Sequence, residues 1–297
     1  MPTVARPDPS AAPLLSIVIP VFNERENIVR LLEEIAAVPH LPAHEVLCVD
    51  DCSDDDTLPV LLAARSAHPR LRVLAHRRRS GQSAAVRSGV KAARGAWIAT
   101  LDGDGQNDPA DIPTLLAARG DAAPGVRLFA GWRTQRKDSG SKRWASRWAN
   151  RIRASLLRDA TPDTGCGIKL FEREAFLDLP AFDHMHRYLP ALMQRAGWQT
   201  LSVPVGHRPR VAGVSKYNNL ARAWVGVSDL AGVLWLLRRG RIAAAGAVET
   251  GAIDGLDEPR DRRAGLDRPA HDAVETDRPD RRADVRGALA GAVPRLP

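Results

Sequence analysis

The sequence predicts an α/β domain: a mostly parallel central sheet with helices on both faces. Three observations carry this. Short apolar and β-branched runs recur at residues 14–21 (LLSIVIPV), 45–49 (EVLCV), 71–75 (LRVLA) and 97–101 (WIATL). Between them lie stretches with helical spacing, such as Ile28, Leu31, Leu32 and Ile35 on one face. Strands buried on both faces read as continuous apolar runs, and their alternation with helices implies parallel crossovers. Finally, acidic clusters follow the second and fourth runs, Asp50-Asp51 and Asp102-Gly103-Asp104. Ligands of such sheets bind beyond the C-terminal strand ends, so both clusters are expected to face one cleft.

Residues 1–13 are rich in Pro and Ala, lack a signal-peptide core and are expected to be disordered. The first strand ends in Pro20-Val21-Phe22-Asn23-Glu24 and feeds the first helix. The acidic stretch from Asp50 to Thr57 follows the second strand and can cap the next helix. The third strand leads through Gly81-Gln82-Ser83 into a small-residue helix ending near Ala93. The fourth opens into Asp102-Gly103-Asp104-Gly105-Gln106. A fifth strand, 126–130, runs into Gly131-Trp132-Arg133.

Residues 142–158 form a basic helix with Trp144, Trp148, Ile152 and Leu156 on one stripe and Arg143, Arg147 and Arg151 beside it. That pattern suits a membrane surface, or a Trp stripe packed into the core. A tight loop, Pro162-Asp163-Thr164-Gly165-Cys166-Gly167, precedes Ile168-Lys169-Leu170-Phe171. A short helix at 188–196 and a strand at 201–205 follow. Residues 207–217 make a basic flexible loop. Residues 220–237 make an apolar-rich helix that contains Arg222 and Asp229, a poor membrane span and a fair interfacial helix. Beyond Gly240 the composition turns to Arg, Asp, Ala, Gly and Pro, and a disordered tail is expected. The domain boundaries expected are thus 14–217 for the α/β domain, 218–239 for the interface helix and 240–297 for the tail.

The formal charge of +8 favours an acidic partner: phosphates, anionic lipid or nucleic acid. Nucleic acid is disfavoured, because no motif for it is present and Asp102 and Asp104 would repel it. The 3 cysteines show no disulfide or zinc spacing, which fits a reducing compartment. No G-x-G-x-x-G follows the first strand, which excludes a dinucleotide oxidoreductase. Asp-x-Asp at a strand end can hold a hard divalent cation against a diphosphate, or can be a solvated turn.

Taken together, Ser16-Ile17-Val18-Ile19-Pro20-Val21-Phe22-Asn23-Glu24, Val49-Asp50-Asp51-Cys52-Ser53 and Leu101-Asp102-Gly103-Asp104-Gly105-Gln106 resemble the family 2 glycosyltransferases, whose fold is GT-A. Asp163-Thr164-Gly165-Cys166-Gly167-Ile168-Lys169-Leu170-Phe171 and Arg210-Val211-Ala212-Gly213-Val214-Ser215-Lys216-Tyr217 resemble the branch of dolichyl-phosphate mannose synthases and bacterial polyprenyl-phosphate transferases. The resemblance covers residues 14–239. Phe22 stands where Tyr is usual, and the membrane-spanning hairpins of many relatives are absent.

The resemblance implies inverting transfer of a sugar, mannose favoured, from GDP-mannose or a UDP-sugar to a polyprenyl phosphate at the cytoplasmic face of a membrane. Pro20, Phe22 and Glu24 would line the nucleoside pocket. Asp51, with Asp50, would bind base or ribose, although Asp50 also suits helix capping. Asp102, Asp104 and Gln106 would hold Mg2+ or Mn2+, with Asp104 close to the reacting centre. Arg208, Arg210, Ser215 and Lys216 would close over the donor diphosphate. Arg133, with Lys142 or Arg143, would clamp the acceptor phosphate. Asp163 would line the acceptor side or cap a buried turn, and Lys169 would add a phosphate contact or be solvated. Two alternatives stand beside this: a family 2 transferase acting on a polysaccharide or other glycan with a UDP-sugar, and a degenerate nucleotide-sugar binder.

Overall fold

The computed structural model describes residues 14–134, 156–157, 159, 161–206, 208 and 219–239, the last with side chains from 225 onward. In chain order the elements are β1 (Leu15–Val21), α1 (Ile28–Ala37), β2 (His44–Asp50), α2 (Thr57–Ala64), β3 (Leu71–Ala75), α3 (Gln82–Ala92), β4 (Trp97–Thr100), α4 (Ile112–Gly120), β5 (Val126–Arg133), β6 (Lys169–Glu172), α5 (Arg173–Leu177), α6 (Leu189–Arg195), β7 (Gln199–Val205) and α7 (Asn219–Arg239). A 3-10 turn, Met185–Arg187, precedes α6.

The sheet has 7 strands in the order β3-β2-β1-β4-β6-β5-β7. β1 pairs in parallel with both β2 and β4, so the chain crosses from one side of β1 to the other after β3. That reversal of strand order opens a crevice at the C-terminal ends of β1 and β4. β6 alone runs against its neighbours, antiparallel to β4 and to β5. The sequence places residues 168–171 after a tight loop and assigns no strand there. The reversal matters for the site. Thr100 at the end of β4 and Ala130 near the end of β5 both pair with Lys169, the first residue of β6. Lys169 thereby joins the ligand-binding edge.

Alternation along each strand feeds two cores. Ile17, Ile19, Val46, Cys48, Ala99, Phe129 and Leu170 pack with Ile28, Leu31 and Ile35 of α1, Leu61 of α2 and Leu115 of α4. Val18, Leu47, Ile98, Leu128 and Phe171 pack on the other face with Val86 and Val90 of α3, Phe176 of α5, Leu189 and Leu192 of α6 and Val233 of α7. Each fully buried branched or aromatic side chain contributes about 1.5–3 kcal/mol. At Gly89 a β-carbon would overlap Val18, so the glycine lets α3 lie directly on β1.

α7 docks through Val233, with Leu230, Leu234 and Leu237 beside it. Polar ties fix it as well. His184 Nδ1 is 2.9 Å from Asp229 Oδ2, and Tyr188 Oη donates to the Gly226 carbonyl at 3.4 Å. Its outer side exposes Val227 and Trp235, each about 60% accessible (61% and 59%). Among the described residues no helix is long and apolar enough to cross a membrane. The basic helix expected at 142–158 lies outside the described residues except at its end, where Leu156 is exposed and Leu157 buried. The expected termini, 1–13 and 240–297, lie outside them too.

Candidate active site

The crevice is built from the ends of β1, β2, β4, β5 and β6. The loops after β1 and β2 are laced together by backbone donors and short polar side chains. Asn23 N donates to Ser53 Oγ (2.9 Å), Glu24 N to Thr57 Oγ1 (2.8 Å) and Asp51 N to the Val21 carbonyl (2.9 Å). Asp50 is buried and accepts from Ser53 Oγ at 2.5 Å and from Ser53 N at 3.2 Å, so its carboxylate closes the turn. Asp51 reaches the next loop. It accepts from Ser80 N (2.9 Å) and Gly81 N (2.7 Å) and pairs with His76 Nδ1 (2.7 Å). Glu24 accepts from Asn27 Nδ2 at 2.8 Å. Phe22 faces outward, with the Arg79 guanidinium 3.9 Å above its ring. Pro20, next to the last residue of β1, lines the crevice.

After β4 the chain enters the Asp102–Asp104 loop. Asp102 N donates to Asn107 Oδ1 (3.2 Å) and Gln106 N to Asp104 Oδ1 (3.1 Å). Asp102 Oδ1 accepts from Gln82 Nε2 at the start of α3 (2.8 Å). Gly167 lies against Asp102. Its carbonyl accepts from Thr100 Oγ1 at 2.8 Å, and a β-carbon there would overlap the Asp102 carboxylate. Burial and the neighbouring Asp104 push the Asp102 pKa up to about 6, against the pull of Lys169, Arg133 and Gln82. A crowded, partly desolvated carboxylate pair is a setting that a divalent cation relieves. Among the described residues no cluster of three or more His, Cys, Asp or Glu side chains could hold a metal alone. A cation held by Asp102 and Asp104 would therefore need further oxygen ligands from substrate or water, as magnesium-type sites on phosphates do. The residues fit that role.

The cationic side of the crevice comes from β5, β6 and the loop between them. Arg133 forks onto Asp163, with Nε–Oδ2 at 2.6 Å and Nη2–Oδ1 at 2.9 Å. Side-chain exposure is 15% for Arg133 and 5% for Asp163, so this is a desolvated pair. Asp163 raises the Arg133 pKa further, and the residue stays charged. Lys169 is 5% exposed and donates to the Cys166 carbonyl. Burial lowers its pKa. Cys48 and Cys166 are buried, and burial raises the pKa of each thiol, which suits packing rather than reactivity.

Arg208 sits at the rim beside the Asp102–Gln106 loop. It bridges Glu34 of α1 (2.8 Å) and Asp108 (2.5 Å), and its backbone N donates to the Gln106 carbonyl (3.2 Å). Lys142, Arg143, Arg210, Ser215 and Lys216 lie outside the described residues. Gln82, Ser83 and His186, which sequence reasoning passes over, also reach the crevice. Ser83 Oγ is 2.7 Å from His186 Nδ1 and also accepts from His186 N at 3.3 Å. A residue distance of 103 separates that pair, so no local pattern announces it.

A parallel sheet with this strand order, an acidic loop after β4 and a basic rim defines the GT-A class of nucleotide-sugar enzymes. The chain belongs to glycosyl transferase family 2, whose model matches residues 16–179. It is 35% identical over 246 residues to a dodecaprenyl-phosphate galacturonate synthase of Rhizobium johnstonii, covering 78% of this chain and 69% of that one. It is 36% identical over 208 residues to an undecaprenyl-phosphate 4-deoxy-4-formamido-L-arabinose transferase of Pseudomonas savastanoi, covering 69% of this chain and 60% of the relative. Among solved structures, glucosyl-3-phosphoglycerate synthase of Mycobacterium tuberculosis with Mn2+ and UDP superposes with a TM-score of 0.60 at 19% identity, over 76% of this chain and 80% of that one. A mannosyltransferase of Pyrobaculum calidifontis with GDP-Man and Mn2+ gives 0.59 at 20% identity, over 82% and 69%. At those identities the likeness speaks for the fold.

Proposed function

We propose that this chain transfers a sugar, with inversion, from a nucleoside diphosphate to a polyprenyl phosphate. The observation that carries the reading is one edge holding both signs of charge: the Asp102–Asp104 loop and, acting on Asp102 through its charge, Arg133 with its partner Asp163. A donor diphosphate bridged by a cation meets the first, and an anionic acceptor meets the second. A phosphate monoester has a second pKa of about 6, so it is largely ionised at neutral pH and needs no general base. Its oxygen bonds to C1 of the sugar as the bond from C1 to the diphosphate oxygen breaks. The two substrates repel, so binding and alignment are the protein's main task.

Asp102 and Asp104, with Gln106 supporting the loop, would hold Mg2+ or Mn2+. That ion would offset the charge developing on the departing nucleoside diphosphate. Phe22, Pro20, Glu24 and Asp51 would bind the nucleoside, Asp51 by holding the Ser80–Gly81 backbone in place. Asp50 supports the same turn through Ser53. Arg133, oriented by Asp163, would clamp the acceptor phosphate together with Lys142 or Arg143. Arg208, released from Glu34 and Asp108, would close over the diphosphate with Arg210, Ser215 and Lys216. Trp235 and the basic end of α7 would rest on the cytoplasmic face of the membrane. The motif resemblance favours GDP-mannose. The names of the relatives, which carry galacturonate and a formamido-arabinose, set sugars other than mannose beside it.

The test is label transfer from GDP- and UDP-sugars to polyprenyl phosphate, with Mn2+ or with EDTA. Product is expected from one donor, only with metal and only with the lipid phosphate. Asp104→Asn should reduce turnover by at least about a thousandfold while the melting temperature holds. Transfer that persists in that variant, or that ignores the lipid phosphate, would sink the reading.

A further inference from the structure

A pocket lies directly behind Asp102, on the side of the sheet covered by α3 and α6. Gln82, Asp102, Gly167, Lys169, His186 and Leu189 are among its walls, and it opens to solvent. If Asp102 and Asp104 grip the diphosphate, the sugar attached to it must extend from that point. This pocket is the recess bordering Asp102. We propose that it receives the far edge of the donor sugar and that Lys169 selects a sugar carrying a carboxylate, a nucleotide-linked uronic acid. The inference rests on the donor-site reading given above.

The chemistry of the walls supports it. Lys169 is 95% withdrawn from solvent (5% exposed), yet the hydrogen bond it makes among the described residues goes to a neutral carbonyl, that of Cys166. Asp102 and Asp163 act on Lys169 through their charge, and an ammonium carries three donors, so it has capacity for a further anion. Arg133 is not among the described residues that line this pocket. His186 adds a polar group without adding charge. Ser83 Oγ accepts from the His186 backbone N and also meets ring Nδ1, so Ser83 holds the imidazole in place. Burial and the nearby Lys169 hold the ring neutral, with a pKa near 3. Gln82 is fixed on Asp102 and separates the metal loop from the pocket. Val86 and Leu189 supply an apolar wall for a sugar face. Among the described residues the one anion bordering the pocket is Asp102, whose charge a bound cation would answer. Selection of a carboxylate should therefore require the metal.

The experiment uses donor pairs that differ only at C6, the alcohol against the carboxylate: UDP-galactose with UDP-galacturonate, and GDP-mannose with GDP-mannuronate. Calorimetry with Mn2+ gives their affinities and those of UDP and GDP. Wild-type protein is expected to bind the uronate of its nucleotide at least about tenfold more tightly than the neutral sugar, as one charge-assisted contact provides. In Lys169→Met the ratio should fall to near one while the bare nucleotide binds as before. Lys169→Arg should keep the preference, and EDTA should abolish it. A wild-type ratio of one overturns the proposal even if Lys169→Met fails to fold. A Lys169→Met variant that weakens the bare nucleotide equally overturns it in favour of a diphosphate contact. A variant that leaves the ratio intact but raises KM for polyprenyl phosphate overturns it in favour of the acceptor. Absence of any nucleotide binding with Mn2+ overturns the donor-site reading itself, and with it this one.

Discussion

Arg133 and Asp163 show how much of the site depends on pairs rather than single residues. Their sequence separation is 30, and each alone has an ordinary explanation, a basic strand end and a turn-capping Asp. The structure joins them in a two-point fork with the carboxylate 5% exposed. A buried carboxylate stripped of its partner is costly, about 3–5 kcal/mol. Arg133→Ala is therefore expected to lose stability on that order in urea denaturation. The double change Arg133→Met with Asp163→Asn should recover most of it. If Arg133 also clamps the acceptor, the double variant stays defective: KM for polyprenyl phosphate rises at least about tenfold while nucleotide affinity holds. Equal loss of both affinities would count against the clamp. Residue reasoning from sequence placed Asp102, Asp104 and Arg133 at strand ends, but left Lys169 as a phosphate contact or a solvated side chain, whereas it is buried. It could not find Gln82, Ser83 or His186, because neutral polar side chains in helical segments gain meaning only from partners far along the chain. It also set Asp50 beside Asp51, whereas the two aspartates face different tasks, Asp50 closing its own turn and Asp51 holding the next loop.

At the scale of elements, the strands of the first half were legible because a strand covered on both faces must be apolar throughout. Residues 71–75, predicted as the third strand, are β3. β6 was not legible. Its strand is 4 residues long, and an apolar run carries no mark of direction, yet its reversal is what brings Lys169 to the crevice. The opposite edge of the sheet has its own fastening. Glu45 of β2 accepts from Ser16 Oγ of β1 (2.7 Å), from Arg94 N after α3 (2.6 Å) and from Arg72 of β3 (2.6 Å). Burial opposes ionisation of Glu45, but these donors outweigh it and hold its pKa below the ordinary 4.5. A group whose pKa is lower in the folded than in the unfolded chain contributes stability above the unfolded value. That contribution is lost as pH falls through the folded one. The urea midpoint of the wild-type protein should thus drop between about pH 5 and pH 3, and Glu45→Gln should flatten part of that drop. Parallel curves for the two proteins would show that Glu45 does not carry it.

For the whole molecule, the +8 charge and the exposed Trp235 on α7 point in one direction. A lipid-linked acceptor presents its phosphate at a membrane surface, and the active crevice must be held there long enough to use it. Anionic lipid attracts each nearby Lys or Arg by about 1 kcal/mol, and that attraction is screened by salt. An interfacial Trp adds a contact that salt does not screen. The two contributions are separable. Binding to phosphatidylglycerol vesicles should weaken several-fold as salt rises from about 0.05 M to 0.5 M, and should be weak on neutral vesicles at any salt. Trp235→Ser should lower binding at every salt concentration without changing the slope. Its melting temperature should be unchanged, because 59% of the Trp235 surface already faces solvent. If Trp235→Ser binds vesicles as well as the wild type, α7 does not rest on the lipid, and the membrane contact must lie on another face.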